Sequence, residues 1–285
     1  MPQHQSKRTI TPKLAERFAA YLREQEKSAS TIALYKRNLA ALCRFLSGEP
    51  VTKDALIKWK EQLTRQYAAA SVNTMLTAVN TFLGFAGWAD YKVKPLKIQR
   101  SLFCREEKEL TREEYLRLVR AARGAGNERL CLVLQTICST GIRISELQFI
   151  TVEAAHAGRA VVSCKNKTRM IFMPATLCRV LLGYAKRQGR KAGPLFVTKA
   201  GKPIDRSNVW RDMKTLCESA GVAPGKVFPH NLRHLFARTY YALEKDLSRL
   251  ADILGHSNVN TTRIYTMESG MVHARQIEHM RLVIT

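Results

Sequence analysis

The sequence is poor in acidic residues and lacks the patterns that mark several classes of protein. Its 285 residues include 23 Asp and Glu against 47 Lys and Arg. No apolar run approaches the roughly 18 residues that a membrane-spanning helix needs, so we expect no membrane partner. Because the first residues contain no apolar signal segment, we expect a cytoplasmic protein. The seven Cys form no CxxC pair, which argues against a disulfide framework or a zinc site.

Length and composition predict two folded domains, both of them basic. A chain of 285 residues matches about two domains of ~100–200 residues each. The formal net charge is +24, and residues 1–100 hold 17 basic against 7 acidic residues, while residues 101–285 hold 30 against 16. Charge spread over both domains indicates a polyanionic partner, usually nucleic acid. A ribosome-associated protein, or a basic protein of ordinary function, would carry a similar charge.

Helical periodicity predicts a four-helix bundle in residues 1–90. The first helix is opened by a Thr N-cap followed by Pro at the first helical position. Lys and Arg side chains lie on the faces opposite the apolar stripes, where they either contact phosphates or simply face solvent. We therefore assign residues 1–90 to a helical DNA-binding domain and residues 91–108 to a basic linker. The predicted helices begin at Thr11, about Ser30, Thr52 and about Ala70.

Residues 109–285 are predicted to form a second domain, mainly α-helical with one small antiparallel β-sheet. The sheet is indicated by two short apolar runs on either side of a turn that is rich in Lys and Asn. The other elements follow from helical periodicity and from a T-x-x-E capping box. The predicted elements are helices from 111 and at 127–139, strands at 159–164 and 169–174 around a turn at 165–168, a strand-like segment at 194–197, and an amphipathic tail helix over 271–285.

Four short segments of the second domain carry side chains suited to chemistry, although they lie far apart in the sequence. Taken singly, each has an ordinary explanation. Arg143 and Glu146 lie three apart and could form an ion pair on a helix surface, and Tyr265 alone would be a packing residue. The segments are T-G-I-R-I-S-E-L at 140–147, the lysines at 165 and 167, P-H-N-L-R-H at 229–234, and L-G-H-S at 254–257 followed by Tyr265.

Together the four segments supply what phosphoryl transfer at a DNA phosphodiester needs. Two guanidinium groups can grip the non-bridging oxygens and stabilise the transition state. A tyrosine hydroxyl can attack phosphorus, a Lys or His can protonate the leaving oxygen, and a second His can position or deprotonate the nucleophile. Such a site requires no metal and no cofactor, and the sequence lacks the carboxylate clusters expected for a two-metal nuclease.

In this order and spacing, the motifs resemble those of the tyrosine recombinases, or phage integrase family, of the two-domain Xer-like and mobile-element type. The resemblance is carried by T-G-x-R-x-S-E-L at 140–147, H-x-L-R-H at 230–234 and L-G-H-S-x-x-x-T-T-x-x-Y at 254–265. It extends over nearly the whole chain. It implies a SAM-like core-binding bundle followed by a tyrosine-recombinase catalytic domain.

The resemblance also implies a role for each matching residue. Arg143 and Arg233 look like the arginine pair on the scissile phosphate, and Tyr265 resembles the nucleophile. The remaining positions match a proton-transfer histidine at His230, a phosphate-binding histidine at His256, an acidic residue that supports the arginine and histidine at Glu146, and a buried structural histidine at His234.

The catalytic lysine is the one position where the sequence departs from the commoner pattern. Many members of the family carry G-K-G-N-K-x-R across the hairpin, whereas residues 163–169 read S-C-K-N-K-T-R. The turn is one residue shorter, so two alignments compete. We expect Lys165 to be the general acid because it follows the end of the first strand, and Lys167 is the alternative.

The family resemblance implies a site-specific recombinase that binds double-stranded DNA at inverted-repeat core sites. Two pairs of protomers, of this chain or with a paralogue, would form a tetramer, cleave through a 3′-phosphotyrosine and pass through a Holliday junction. We expect integration, excision or inversion of mobile DNA, with chromosome-dimer resolution as an alternative. A type IB topoisomerase would use a similar site, and a DNA-binding accessory protein would not cleave. The tail helix would either pack on its own domain or dock into a neighbouring protomer.

Overall fold

The computed structural model describes residues 8–98, 106–164, 167–198, 200–256, 258–265 and 278–280. The chain divides into two compact units, Met1–Arg100 and Ser101–Thr285. Within the described ranges, no helix combines the length and the apolar character that crossing a membrane requires. The predicted fold class, mainly helical with one small antiparallel sheet, is confirmed.

The first unit contains the four predicted helices. Three of them begin with a side-chain cap, because the hydroxyl groups of Thr11, Ser28 and Thr52 each accept a hydrogen bond from a backbone N–H of the first turn. Ser28 therefore opens the second helix, two residues before the predicted start at Ser30. The helices are α1 (Pro12–Glu24), α2 (Ala29–Leu46), α3 (Lys53–Gln66) and α4 (Ala69–Phe85).

Apolar stripes of the four helices meet in one core. Phe18 of α1 and Phe82 of α4 are fully buried, and their rings meet edge to face with centroids 5.3 Å apart. The centre of this core also contains Leu42 of α2, Leu56 of α3 and Leu76 of α4. Apolar residues at helical spacing are the pattern that predicts such a bundle.

An extended segment after α4 is fastened to the bundle by two asparagines. The Asn80 side chain donates to the carbonyl oxygen of Val93 at 2.8 Å and accepts from its N–H at 3.0 Å. Asn73 does the same to Leu96, at 2.9 and 2.7 Å. The two amides lie seven residues apart, two turns of α4, so they face the same side of the helix. Val93 is thereby buried in the core of the first unit.

The second unit contains the predicted capping box, in which Thr111 and Glu114 each satisfy a backbone N–H of the other. Helix α6 (Glu128–Thr140) is followed by Gly141, whose φ of +63° is left-handed. A Cβ at this position would overlap the ring of Phe236, so glycine is required here on two counts. The described helices of the second unit are α5 (Arg112–Gly124), α6 (Glu128–Thr140), α7 (Val152–Ala157), α8 (Ala175–Arg187), α9 (Arg206–Lys214), α10 (Cys217–Ala220), α11 (Pro229–Glu244) and α12 (Leu247–Leu254).

The hairpin of the second unit is tighter than predicted. Strand β1 (Arg159–Cys164) pairs antiparallel with β2 (Lys167–Phe172), in a register that sets Cys164 against Lys167. The predicted second strand at 169–174 is therefore wrong by two residues. The reason is that the ladder continues to a pair separated by only two residues, a spacing that suits the twist of antiparallel strands.

Two other predicted elements have different outcomes. The strand at 194–197 is wrong: Pro194 and Val197 make only isolated bridges. Their neighbours Leu195 and Phe196 are apolar because they are buried in the core, rather than because they belong to a ladder. The predicted tail helix over 271–285 lies outside the described residues except for 278–280, which are exposed.

We predict that Asn80→Ala will loosen the extended segment after α4. The substitution leaves the N–H and carbonyl of buried Val93 without partners, and should lower the free energy of unfolding by about 1–3 kcal/mol. Hydrogen exchange of the Val93 amide should accelerate, while Leu96, held by Asn73, should retain more of its protection. Thr74→Ala is the control, since this exposed hydroxyl bonds only within α4. Unchanged exchange at Val93 would contradict the role of Asn80.

Candidate active site

Arg233 lies at the centre of the predicted motifs. It extends from α11, is only 3% exposed, and donates to the carbonyl oxygens of Gly141 at 2.5 Å and Leu254 at 2.7 Å. These carbonyls belong to the ends of α6 and α12, whose last carbonyls have no partner within the helix. Burial, together with the positive charge of Arg143, lowers the pKa of Arg233 to about 10, while Tyr265 opposes the shift. The guanidinium therefore remains charged at neutral pH.

His256 follows the left-handed Gly255 that ends α12. Its Nε2 lies 3.1 Å from Nη2 of Arg233, and its Nδ1 lies 2.9 Å from Oγ1 of Thr262. Since an arginine can only donate, Nε2 accepts and the ring proton resides on Nδ1, which donates to the threonine. Burial and the positive charges of Arg233, Arg143 and Arg169 lower the pKa of His256 to about 4. The ring is therefore neutral at pH 7.

The ring of Tyr265 packs against the rings of His234 and His256. It belongs to the 3-10 helix Arg263–Tyr265 and is 7% exposed. Its ring stacks on His256 with centroids 6.0 Å apart, and meets His234 edge to face at 4.8 Å. Apolar side chains of α11 and α12, including Leu254, cover the rest of the ring. The phenol is thus held in one orientation next to Arg233.

Glu146 is a buried carboxylate shared by two arginines. Its Oε2 accepts the backbone N–H of Arg143 at 2.6 Å and Nη2 of Arg169 at 2.6 Å, and its Oε1 accepts Nη1 of Arg143 at 3.2 Å. The Glu146 side chain is 4% exposed, whereas that of Arg143 is 37% exposed. Burial acts to raise the pKa of Glu146, but the hydrogen bonds and positive charges outweigh it and hold the pKa below its ordinary value. Arg143 is therefore oriented by a carboxylate and still reaches solvent.

The remaining two histidines lie on α11. His234 has its Nδ1 3.4 Å from Oε1 of Glu109, which also pairs with Arg238 at 2.8 Å. His230 is exposed at the first turn of α11, and within the described part of the chain no hydrogen bond holds its ring. Partial desolvation and the positive charge of Arg206 lower the pKa of His230. The imidazole of His230 is therefore available as a proton acceptor.

The structure brings together six of the nine residues that the sequence predicts: Arg143, Glu146, Arg233, His234, His256 and Tyr265. His230 lies on the same helix as Arg233, one turn earlier. The two lysines are the exceptions. Lys165 lies outside the described residues, and for Lys167 the structure describes the backbone within β2. Among the described residues, no group of three or more His, Cys, Asp and Glu side chains is arranged to hold a metal ion.

Three residues of the site are not predicted from the sequence. Arg169 matches the last letter of the family's hairpin pattern, and Thr262 is the second threonine of the T-T-x-x-Y motif, so each had a signal without an assigned role. Glu109 had no signal at all, since it precedes its partner His234 by 125 residues.

We predict that Glu146→Gln will destabilise the protein at neutral pH and not in acid. A carboxylate whose folded pKa is lowered contributes stability above its unfolded pKa of about 4.3, and this is lost as pH falls through the folded value. Removing the charge from the buried pair should cost about 3 kcal/mol at pH 7. Urea unfolding at a series of pH values should show that the difference in free energy of unfolding between variant and wild type becomes smaller below about pH 4. Glu218→Gln, an exposed site, controls for lost charge; a pH-independent difference would contradict the ion-pair role.

Proteins of similar sequence are tyrosine recombinases by name. The chain is 30% identical over 287 residues to tyrosine recombinase XerA of Pyrococcus horikoshii, covering 97% of this chain and 96% of that one. It is 28% identical over 288 residues to XerA of Pyrococcus furiosus, with the same coverage. Over 283 residues it is 28% identical to tyrosine recombinase XerC of Roseiflexus castenholzii, covering 88% of each chain.

Solved structures share the fold. The integrase of transposon Tn1549, in complex with transposon right end DNA, superposes with a TM-score of 0.75 at 16% identity, covering 95% of this chain and 99% of that one. A lambda integrase dimer bound to a COC′ core site gives 0.74 at 18% identity, with coverages of 92% and 96%. A crystal structure of XerA recombinase gives 0.53 at 24% identity, with coverages of 96% and 100%.

Two family models match the two parts of the chain. The phage integrase N-terminal SAM-like domain matches residues 15–90, and the phage integrase family model matches residues 108–270, more than half of the sequence. The family resemblance predicted from the motifs is confirmed. The chain belongs to the phage integrase family, the family of the tyrosine recombinases.

Proposed function

We propose that the protein is a site-specific DNA recombinase in which Tyr265 cleaves and rejoins DNA. Its hydroxyl oxygen attacks phosphorus, the bond from phosphorus to the 5′ oxygen breaks, and a 3′-phosphotyrosine and a free 5′-hydroxyl result. The attack of a 5′-hydroxyl on the phosphotyrosine reverses the step and restores the phenol. The observation that carries the proposal is the position of Tyr265 beside a buried Arg233 and next to His256.

Two guanidinium groups bind the scissile phosphate in this proposal. Arg143 and Arg233 converge from the end of α6 and from α11, and only one carboxylate, Glu146, is within reach of Arg143 among the described residues. A site with surplus positive charge attracts a phosphodiester and stabilises the further negative charge that develops in the transition state. Both charges are fixed before DNA arrives, so little reorganisation is needed.

His256 contacts the phosphate only in its second tautomer. In the described structure Nε2 accepts from Arg233 and carries no proton. A hydrogen bond from Nε2 to a phosphate oxygen requires the proton to move to Nε2, with Nδ1 then accepting from Thr262. A threonine hydroxyl can donate or accept, so this partner serves both tautomers.

His230 receives the proton of Tyr265, directly or through a water molecule. Its lowered pKa keeps the ring neutral at physiological pH, the form that a general base requires. His234 acts by position, since its ring meets the tyrosine ring edge to face and its Nδ1 lies near Glu109.

We further infer that Lys165 protonates the leaving 5′ oxygen. Lys167 is the second candidate, and one observation favours it. The two-residue period of a strand puts position 167 on the same face of β2 as Arg169, and the side chain of Arg169 reaches Glu146 in the site.

The proposed substrate is double-stranded DNA with inverted-repeat core sites. The net charge of +24, with basic residues outnumbering acidic ones by 17 to 7 in residues 1–100 and by 30 to 16 in residues 101–285, supports contacts from both domains. Domain 1–90 would bind core DNA, 91–108 would link the domains, and 109–285 would catalyse. A tetramer of this chain, or of this chain with a paralogue, would form a Holliday junction in the cytoplasm.

Integration, excision or inversion of mobile DNA is the proposed role; relatives named XerA and XerC favour chromosome-dimer resolution as the second candidate.

We predict that Tyr265→Phe will abolish covalent attachment to DNA. Wild type and variant are incubated with fragmented, nicked genomic DNA of the source organism, with EDTA present, and protein-linked DNA is recovered after denaturation and sequenced. Wild type should retain DNA through a 3′ end at one inverted-repeat sequence, while the variant binds DNA without a covalent link. Tyr241→Phe, a neighbouring tyrosine on α11, is the matched control. Attachment by Tyr265→Phe, or none by wild type, would contradict the proposal.

The recovered sequence also separates the two roles. Sites at the ends of a mobile element indicate integration, excision or inversion, whereas a single chromosomal site indicates dimer resolution.

We predict that Lys165→Ala will slow cleavage by about 10²–10⁴-fold, the usual contribution of general acid catalysis. A substrate whose 5′-bridging oxygen is replaced by sulfur should restore the rate, because a thiolate leaves without protonation. Lys167→Ala should cleave both substrates at close to the wild-type rate. The reverse pattern would assign the role to Lys167, and slow cleavage without rescue by sulfur in both variants would refute a lysine general acid.

A further inference from the structure

Arg169 joins three parts of the site through one guanidinium. It extends from β2, and its side chain is 13% exposed. Its Nη2 donates to Oε2 of Glu146 at 2.6 Å, and its Nη1 donates to the carbonyl oxygen of Ile253 in the last turn of α12. One side chain thus connects the hairpin to the turn that carries Arg143 and to the corner that leads to His256.

The corner after α12 is shaped to let Arg169 pass. Gly255 has a φ of +66°, and a Cβ there would lie 2.6 Å from Cδ of Arg169. Any other residue at 255 would therefore displace the arginine stem as well as strain the backbone. Because His256 is the next residue, the path of Arg169 and the position of the histidine are coupled.

The geometry of Arg169 is not the one that would best satisfy its own hydrogen bonds. Its Nε is buried, and it has no hydrogen-bond partner in the described part of the chain. A buried donor without a partner is unfavourable and uncommon in folded proteins. The guanidinium is thus held where it meets Glu146 and Ile253, at the expense of its third bonding direction. Local rules are broken in this way mainly at functional sites.

Arg169 also determines how the hydrogen bonds of the Glu146 carboxylate are shared between two arginines. Its bond to Oε2 is shorter than the bond between Oε1 and the Arg143 side chain, 2.6 against 3.2 Å. Without Arg169 the carboxylate would be free to turn towards Arg143 and form a neutral one-to-one pair. With it, two arginines share one negative charge, and Arg143 keeps positive charge for a phosphate.

We propose that Arg169 is a positioning residue for DNA cleavage, which fixes Glu146 and the corner before His256 so that Arg143 and His256 face the phosphate. This inference rests on the proposed recombinase function. The charged and titratable groups around it are Arg143 and Glu146 on the turn after α6, Arg233 on α11 and His256 after α12. Loss of Arg169 removes a positive neighbour from Glu146 and from His256, so both pKa values should rise.

The test compares Arg169→Gln and Arg169→Lys with wild type in single-turnover cleavage of a nicked duplex that carries the recovered sequence. Arg169→Gln should cleave about 10- to 100-fold more slowly at pH 7, with DNA affinity nearly unchanged. The acid limb of its pH–rate profile should move to higher pH. Arg169→Lys should recover part of the rate. If the glutamine variant does not fold, Arg169→Lys is the test: it should still cleave more slowly than wild type, because a point-charge ammonium does not reproduce the planar fork with which the guanidinium meets Glu146 and Ile253.

Two comparisons separate positioning from simple destabilisation. Arg187→Gln, which breaks an exposed ion pair with Glu128, should leave rate and profile unchanged. The double variant Glu146→Gln/Arg169→Gln should be slowed by less than the product of the two single effects, because both changes remove the contact between Glu146 and Arg169. A rate reduced by one factor at every pH, with additive effects in the double variant, would overturn the inference.

The inference and the proposed function fail in different ways. A wild type that does not cleave overturns the proposed function and the inference with it. A wild type that cleaves while Arg169→Gln cleaves equally well at every pH overturns the inference alone.

Discussion

A buried guanidinium needs acceptors for its N–H groups, and the way Arg233 meets this need organises the second unit. Its acceptors are the carbonyls of Gly141 and Leu254, which lie at the ends of α6 and α12 and have no partner within their own helices. The same two hydrogen bonds therefore compensate the desolvation of the cation and satisfy carbonyl groups at the ends of two helices. The motif arginine of α11 thus fixes the positions of the segments that carry Arg143 and His256.

The same arrangement leaves the site with more positive than negative charge. Three arginines, Arg143, Arg169 and Arg233, lower the pKa of His256, and Glu146 is the carboxylate that two of them share. Neighbouring like charges repel, so the proximity of these three arginines lowers the stability of the folded chain. In the proposed reaction, a phosphodiester would relieve this repulsion when it binds. The surplus charge that is unfavourable in the free protein is what an anionic transition state requires.

Packing against neighbouring rings and apolar side chains holds the tyrosine and limits its motion. Tyr265 rests on His234 and His256 and on apolar side chains of α11 and α12. Both histidines have a second partner, Glu109 and Thr262 respectively, so the rings that flank the phenol are themselves held. In the proposed reaction, a tyrosine restrained in this way would lose little freedom when DNA binds, which would lower the entropic part of the barrier.

The sequence by itself determined the helical bundle, the fold class and the residue types of the site. Apolar spacing in α1–α4 reports burial directly, and the spacing from His256 to Tyr265 is local enough to be read as a motif. Only the tertiary structure decided the contacts of Arg169 and Glu109, because their partners lie on distant elements and no local pattern encodes such a contact. The same holds for the segment after α4, whose attachment depends on Asn73 and Asn80 facing one backbone. The hairpin register differed from the prediction because strand pairing depends on both strands at once, whereas a propensity is read from one.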